Sequence, residues 1–295
     1  MKMNHPRKSL FLMATAALVI GFSSCSKNKE EAQVDRDPEL TQATVEAEAE
    51  AELMYDDVFN NVMGADQSVA IGGTGVFQSA NSDQPGPLQS TCFTLTLTKT
   101  GDGFPITVTV DFGTQGCLGR DGRTRKGKFS TVYTGHMILP GSKATTTFTN
   151  YYVNGVKVEG THTLENKSTA NQWAFETRVI DGRLSRENGN QINWNRVRTF
   201  TMISGSGTPY VPTDDVFAIT SNGSGTVSIG DKTGTWTSTT TKPLEKAFSC
   251  RWISAGTQEI HRVNGRKASL DFGNGECDNT ASITVNGVSR EITLK

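Results

Sequence analysis

Two periodicities divide this 295-residue chain. Before Gly64 the apolar residues fall in one unbroken run or at spacings of three and four; from residue 68 on they alternate with polar ones. In "CFTLTLTKT", Phe93, Leu95 and Leu97 oppose Thr94, Thr96 and Thr98, and in "ITVTVDF", Ile106, Val108 and Val110 oppose Thr107 and Thr109. A two-residue period places successive side chains on opposite faces of a strand, one buried and one in water. β-Branched residues, which suit a pleated surface, are abundant throughout this region. Val-Asn-Gly recurs at 153–155, 263–265 and 285–287 between strand-like runs, and Asn-Gly accepts the positive φ angles of a tight hairpin turn. Gly101-Asp102-Gly103, Asp181-Gly182, Asn188-Gly189 and Asn222-Gly223 are further turn candidates. Turns this dense leave room for about sixteen short strands and no crossover helices, which excludes an all-parallel sheet.

The expected fold is therefore all-β. Residues 67–295 are expected to form a single antiparallel domain, a long meander making a curved sheet or partly open barrel, with a β-sandwich as the alternative. A body of this length buries one substantial core. Its candidates are Phe93, Val108, Phe112, Phe129, Tyr133, Phe148, Trp173, Phe175, Trp194, Phe217, Trp236 and Trp252. Ahead of it, "TVEAEAEAELMYDDVFNNVMG" is rich in helix formers and sets Val45, Ala49, Leu53, Val58 or Phe59, and Val62 near helical spacing. This predicts one N-terminal helix over about 39–63, with Pro38 in its first turn and Gly64 at its end.

Charge changes the reading of that helix. Residues 26–66 carry 12 acids and 3 bases, and residues 67–295 carry 18 acids and 23 bases, so a net charge of −1 conceals an acidic arm and a basic body. The favoured expectation is a charged spacer that holds the body away from a membrane; the other is a helix whose apolar stripe docks on the sheet.

A membrane enters through the first residues. Lys2, Arg7 and Lys8 precede a 13-residue apolar run, Leu10 to Phe22. That is too short to cross a bilayer core of about 30 Å and fits the apolar part of a secretory signal over residues 1–24. Ser23 and Ser24 then lead to Cys25 in a pattern that resembles a bacterial lipobox, with Phe22 where the usual pattern has Leu. The resemblance implies lipidation of Cys25 and an anchored segment, 25–66, made of lipid, acidic tether and helix. Two or more acyl chains suffice for stable anchoring. The other four cysteines, Cys92, Cys117, Cys250 and Cys277, are then an even set.

Their pairing follows from a repeat. "DFGTQGC" at 111–117 returns as "DFGNGEC" at 271–277, and in each half a second cysteine lies upstream, 25 residues before Cys117 and 27 before Cys277. Both intervals read as strand, turn, strand. With Asn264-Gly265 as the turn of the second, partner numbers sum to 529 and the two cysteines to 527, which sets them nearly opposite. In the first, a turn near Asp102-Gly103 gives a sum near 205 against 209 for the cysteines. The predicted disulfides are Cys92–Cys117 and Cys250–Cys277, in two related hairpin regions at about 90–165 and 215–295.

Candidate chemistry is sparse. Asp-Phe-Gly holds metal in protein kinases, but no glycine-rich nucleotide loop or catalytic-loop motif accompanies it. Asp271, Asn274, Glu276 and Asp278 supply oxygens for a calcium loop, but the first copy does not, and no EF-hand spacing exists. His136, His162 and His261 are isolated and expected at surfaces or edges, and the adjacent Asp214 and Asp215 read as a turn or edge device. No metal site, cofactor or catalytic residue is expected. Arg120, Arg123 and Arg125, with Arg178, Arg196 and Arg198 and the interleaved Trp173 and Trp194, form a candidate face for an acidic glycan or lipid headgroup. The alternative is a water-facing strand surface with edge-protecting charges.

The lipobox, the polar tether, "CLGRDGRTRKGKFSTVYTG", "NYYVNGVKVEGTHTLEN" and "DFGNGECDNTASITVNGVSREITL" together resemble an uncharacterised family of Bacteroidetes lipoproteins. The resemblance implies a lipid-anchored outer-membrane protein on the cell surface or periplasmic face, and supplies no activity. The functional expectation is a non-enzymatic protein that binds a ligand or partner, a lipid, glycan or envelope protein, on a curved sheet. A surface adhesin or glycan-binding module and an envelope hydrolase are the alternatives, and nucleic acid is not an expected partner. A carrier would present an empty apolar concavity, an adhesin a filled core.

Overall fold

The computed structural model of the protein describes residues 38–77, 92–119, 121–263 and 265–294. Cys25 and the signal segment, Arg120 and Asn264 lie outside them. The chain begins with helix α1 (Pro38–Gly64) and continues as a fourteen-stranded antiparallel sheet that does not close. Its strands are β1 (Thr94–Lys99), β2 (Ile106–Asp111), β3 (Cys117–Leu118), β4 (Thr124–Tyr133), β5 (Lys143–Val153), β6 (Val156–Asn166) and β7 (Ala174–Ser185). They continue with β8 (Gln191–Ser204), β9 (Val216–Ile229), β10 (Lys232–Ala247), β11 (Ala255–Arg262), β12 (Lys267–Asn274), β13 (Thr280–Val285) and β14 (Val288–Thr293). Each strand pairs with the next along the chain, except that β2 pairs directly with β4 while the short β3 pairs with β4 alone. This is the curved meander the alternation predicts.

Turn chemistry explains most of the register. Asn154 and Gly155 have φ of 50° and 80°, Asn286 and Gly287 have 52° and 80°, and each pair joins two strands through a two-residue loop. In the first disulfide region Thr94 faces Asp111, the sum of 205 that the Asp102-Gly103 turn predicts. In the second, His261 faces Lys267, a sum of 528, one short of the predicted register. Two predicted turns are not turns. Asp181-Gly182 is a bulge inside β7, and Asn222-Gly223 continues straight through β9, so the strands are fewer and longer than turn-counting suggests.

The two copies of the heptad share their local contacts. Asp111 and Asp271 each accept the backbone N–H two residues on, from Gly113 at 2.8 Å and Gly273 at 2.9 Å. Phe112 and Phe272 are buried, and Gly113 and Gly273 take positive φ, which glycine alone adopts without strain. In the first copy the chain leaves β2 after Asp111 and rejoins the sheet at Cys117 in β3; in the second, β12 continues to Asn274 and Cys277 follows in the loop beyond it. The two disulfides are Cys92–Cys117 and Cys250–Cys277, each closing one hairpin.

Helix α1 is the main surprise. Every residue from Ala51 to Phe59 is buried, so the helix has no water-facing side there. Such a helix lies inside its domain. It packs on the inward side of β8, β9, β10, β12 and β13 and is not a free spacer. Phe59 stacks on Phe200 with ring centroids 4.2 Å apart and meets Phe175 and Phe217 edge-on, while the Tyr133 hydroxyl donates to the Val62 carbonyl at 2.7 Å. Among the expected core residues, Phe93, Phe148, Trp173 and Trp252 are only partly buried, and the others are in the core.

The sequence separations of 25 and 27 set the worth of each disulfide at about 3.5 kcal/mol in the chain-entropy account. Replacing Cys250 and Cys277 together by serine is expected to lower unfolding free energy in urea by about that amount. An unchanged midpoint would contradict it.

Candidate functional site

The basic residues singled out in the sequence turn inward and meet acids from α1. On β8, Ile192, Trp194, Arg196, Arg198 and Phe200 share one face by strand parity, and that face is the core. Arg196 pairs through one terminal nitrogen with Glu52 and through the other with Glu48. The same two nitrogens donate to Ser221 Oγ at 2.9 Å and Ser238 Oγ at 3.2 Å. Arg198 pairs with Asp56 at 2.8 Å and Glu52 at 3.2 Å, its guanidinium lying 4.9 Å from the Phe200 ring centre. Trp236 Nε1 donates to Glu48 at 2.7 Å and Gln258 Nε2 to Glu52 at 2.8 Å. A second cluster joins Asp57 to Arg123 at 2.7 Å and to Arg125 at 2.5 Å, and Arg125 also holds Asp121 at 2.6 Å.

The sheet makes room for these groups with small residues. A side chain at Gly223 would sit 2.8 Å from the Arg196 guanidinium carbon, and one at Gly225 would sit 2.5 Å from the Trp236 ring. Burial alone would raise the Glu52 and Asp57 carboxyls. The neighbouring guanidiniums, Arg196 and Arg198 for Glu52 and Arg125 and Arg123 for Asp57, more than offset this and hold both below the usual carboxylate range. Four helix carboxylates thus face four guanidiniums, with Asp121 and Lys246 adding one charge of each sign. Burial pulls the Lys246 ammonium down to about 8, and it donates to the carbonyls of Ala247 and Cys250. Carboxylates each paired with a guanidinium in this way and shut off from water position a helix.

The expected anion-binding face is accordingly corrected. Arg123, Arg125, Arg196 and Arg198 are 7% exposed or less, and their anion is the chain's own helix. Trp194 is buried edge-on to Tyr55, Trp173 is half-buried, and among the described members of that face only Arg178 stands in water, paired with Glu176 at 2.8 Å; Arg120 lies outside the described residues. The histidines divide. His136 holds the Gln67 carbonyl and His261 pairs with Glu259, whereas His162, expected at the surface, is buried on the core face of β6 beside Tyr55. Burial, reinforced by the Arg198 charge, lowers His162 to about 3. Asp214 accepts from Thr208 at 2.7 Å, and Asp215 is buried, which together with the Asp214 charge lifts its carboxyl to about 7. Asp271 and Asp278 hold turn amides, and among the described residues no group of three or more His, Cys, Asp or Glu is placed to hold a metal ion.

With the inner face occupied, a depression lies on the other side of the sheet. A cleft of about 540 Å³ crosses β6 to β10, lined by Glu159, Asp181, Arg183, Asn193, Asn195, Ser224, Thr226 and Thr235 over the backbones of Gly182 and Gly225. Of its lining the sequence reading singled out Trp194 as a binding candidate but not Asn193, Asn195 or Thr226, which hold outward positions by the same parity that turns Arg196 inward. The chain matches no family model, no curated protein and no solved structure.

Removing one partner of a buried charge pair strands the other. Glu52→Ala is expected to cost about 3–5 kcal/mol in urea unfolding, whereas Arg178→Ala at the water-facing pair should cost under about 1 kcal/mol. Equal effects would refute the distinction. His162 has a folded value near 3 against 6.5 for an unperturbed imidazole, so the unfolded chain takes up a proton first as pH falls. Stability should therefore drop from pH 6.5 downward, by about 2 kcal/mol at pH 5 from this group alone. His162→Leu should remove that slope, and an undiminished slope would contradict the assignment.

Proposed function

We propose that the protein is a lipid-anchored protein of the cell envelope, tethered through Cys25, that binds a ligand or partner on the outer face of its sheet without catalysing a reaction. The supporting observation is the occupied inner face. A carrier of acyl chains needs an empty apolar concavity, but here Leu53, Val58, Phe59 and Val62 fill that space from α1, and Glu48, Glu52 and Asp56 are locked to the strands. The charged arm in this reading is both anchor and core. Residues before α1 connect to the lipid, and α1 fastens the sheet to that connection. The Ser/Lys/acid-rich stretch "SKNKEE" after Cys25 resembles the segment that sends such lipoproteins to the outer face of the outer membrane, so the bound partner is envelope or extracellular material.

Two measurements test this together. Metabolic palmitate labelling should mark the wild-type chain and not Cys25→Ala, which should also leave the membrane fraction. Native mass spectrometry of the released protein should show no lipid beyond the covalent anchor. Label on Cys25→Ala would refute the anchor, and a stoichiometric co-purifying lipid would restore the carrier.

A further inference from the structure

We infer that the outer cleft over β7, β8 and β9 is a binding site for a neutral, hydroxyl-rich ligand, an oligosaccharide chain; this rests on the outer-face reading above and names its site. The sheet is deformed to make the cleft. In β7, Ile180 pairs with Thr161 and Arg183 with Glu159, so that Asp181 and Gly182 together oppose the single Gly160. A bulge of this kind bends the strand and re-aims its side chains. Asp181 takes φ of 52°, and its N–H is held by Asn195 Oδ1 at 2.9 Å. Gly182 is required from the inside, since a side chain there would lie 2.7 Å from the Trp194 ring. The floor is therefore bare backbone with an indole directly beneath it.

The lining selects the ligand. Glu159, Arg183, Asn193, Thr226 and Thr235 form one cross-strand row over five strands, and Asn195 and Ser224 stand opposite one another in the next. Amide and guanidinium orientations are fixed before any ligand arrives. Arg183 Nε donates to Asn193 Oδ1 at 2.9 Å, leaving the amide NH2 of Asn193 turned to Thr226 at 3.5 Å. The carbonyl of Asn195 is committed to the Asp181 N–H, so its NH2 group is left to donate outward. Such paired donors and acceptors match vicinal hydroxyls, each of which both gives and takes a hydrogen bond. Charge argues against an ionic ligand, because Arg183 shares the cleft with the Asp181 and Glu159 carboxylates, and Glu159 is itself paired with Lys157 at 2.7 Å. An anion meets two carboxylates and a cation meets Arg183. The volume of about 540 Å³ falls in the range of ligand pockets, roughly 300–1,000 Å³.

The test is NMR and calorimetric titration of the full chain with maltoheptaose, mannopentaose, cellopentaose and chitopentaose, with heparin as the anionic probe. Binding of at least one neutral oligosaccharide is expected, with the Asn193 and Asn195 side-chain amide signals moving. Asn193→Ala and, independently, Ser224→Ala should each weaken it about tenfold while the amide spectrum of the core stays in place. Tight binding of heparin alone, oligosaccharide binding unaffected by both substitutions, or no shift at these amides with any probe would overturn the proposal. Absence of glycan binding in a protein that also carries no lipid would remove this site and leave the outer-face reading standing. A lipid found in the released protein would remove that reading itself.

Discussion

The match between carboxylates on α1 and guanidiniums on the strands is the constraint that orders everything around it. Taking Glu48, Glu52, Asp56 and Asp57 out of water is tolerable only where each meets a guanidinium. Ion pairs of this kind add little net stability compared with well-packed apolar groups. Their effect is directional. A helix of Ala, Val and Leu could slide or rotate along an apolar trough, but with Glu52 shared between Arg196 and Arg198, and Asp57 between Arg123 and Arg125, a one-residue shift strands several charges at once.

Geometry then follows from the helix. Gly223 and Gly225 on β9 admit the Arg196 guanidinium and the Trp236 ring. Phe59 gathers Phe175, Phe200, Phe217 and Phe248 at the other end. An unclosed sheet of this length exposes an inner surface, which α1 covers over β8 to β10 and β12 to β13. On the outer face a bulge in β7 opens a polar cleft, the place proposed for recognition.

Local patterns carried the sheet. Alternation, Asn-Gly turns and the repeated heptad predicted the meander, the first hairpin register and both disulfides, because each is a short-range geometric requirement. Composition misled where the determinant was long-range. Acids at every second position, Glu46 to Glu52, look solvated on a lone helix, and only partners some 140 residues away bury two of them, Glu48 and Glu52. A signal was nevertheless present. Arg196 and Arg198 share parity with Trp194 and Phe200, and His162 with Val158 and Leu164, so strand alternation itself places charge and imidazole inside. The arginine clusters and Asn222-Gly223 carry the usual signals of a surface and a turn, but burial and extension are what their neighbouring residues require. The outer cleft depends on a bulge, whose cue, Asp181-Gly182, is also that of a turn.

If α1 is core, it cannot open without the sheet. Native-state hydrogen exchange under increasing urea measures this residue by residue. Amides of α1 from Val45 to Val62 should exchange only with those of β8 and β9, at opening free energies within about 1 kcal/mol of global unfolding. Helix amides that exchange several kcal/mol more easily, while β8 and β9 stay protected, would show that α1 is a detachable arm and would contradict the account.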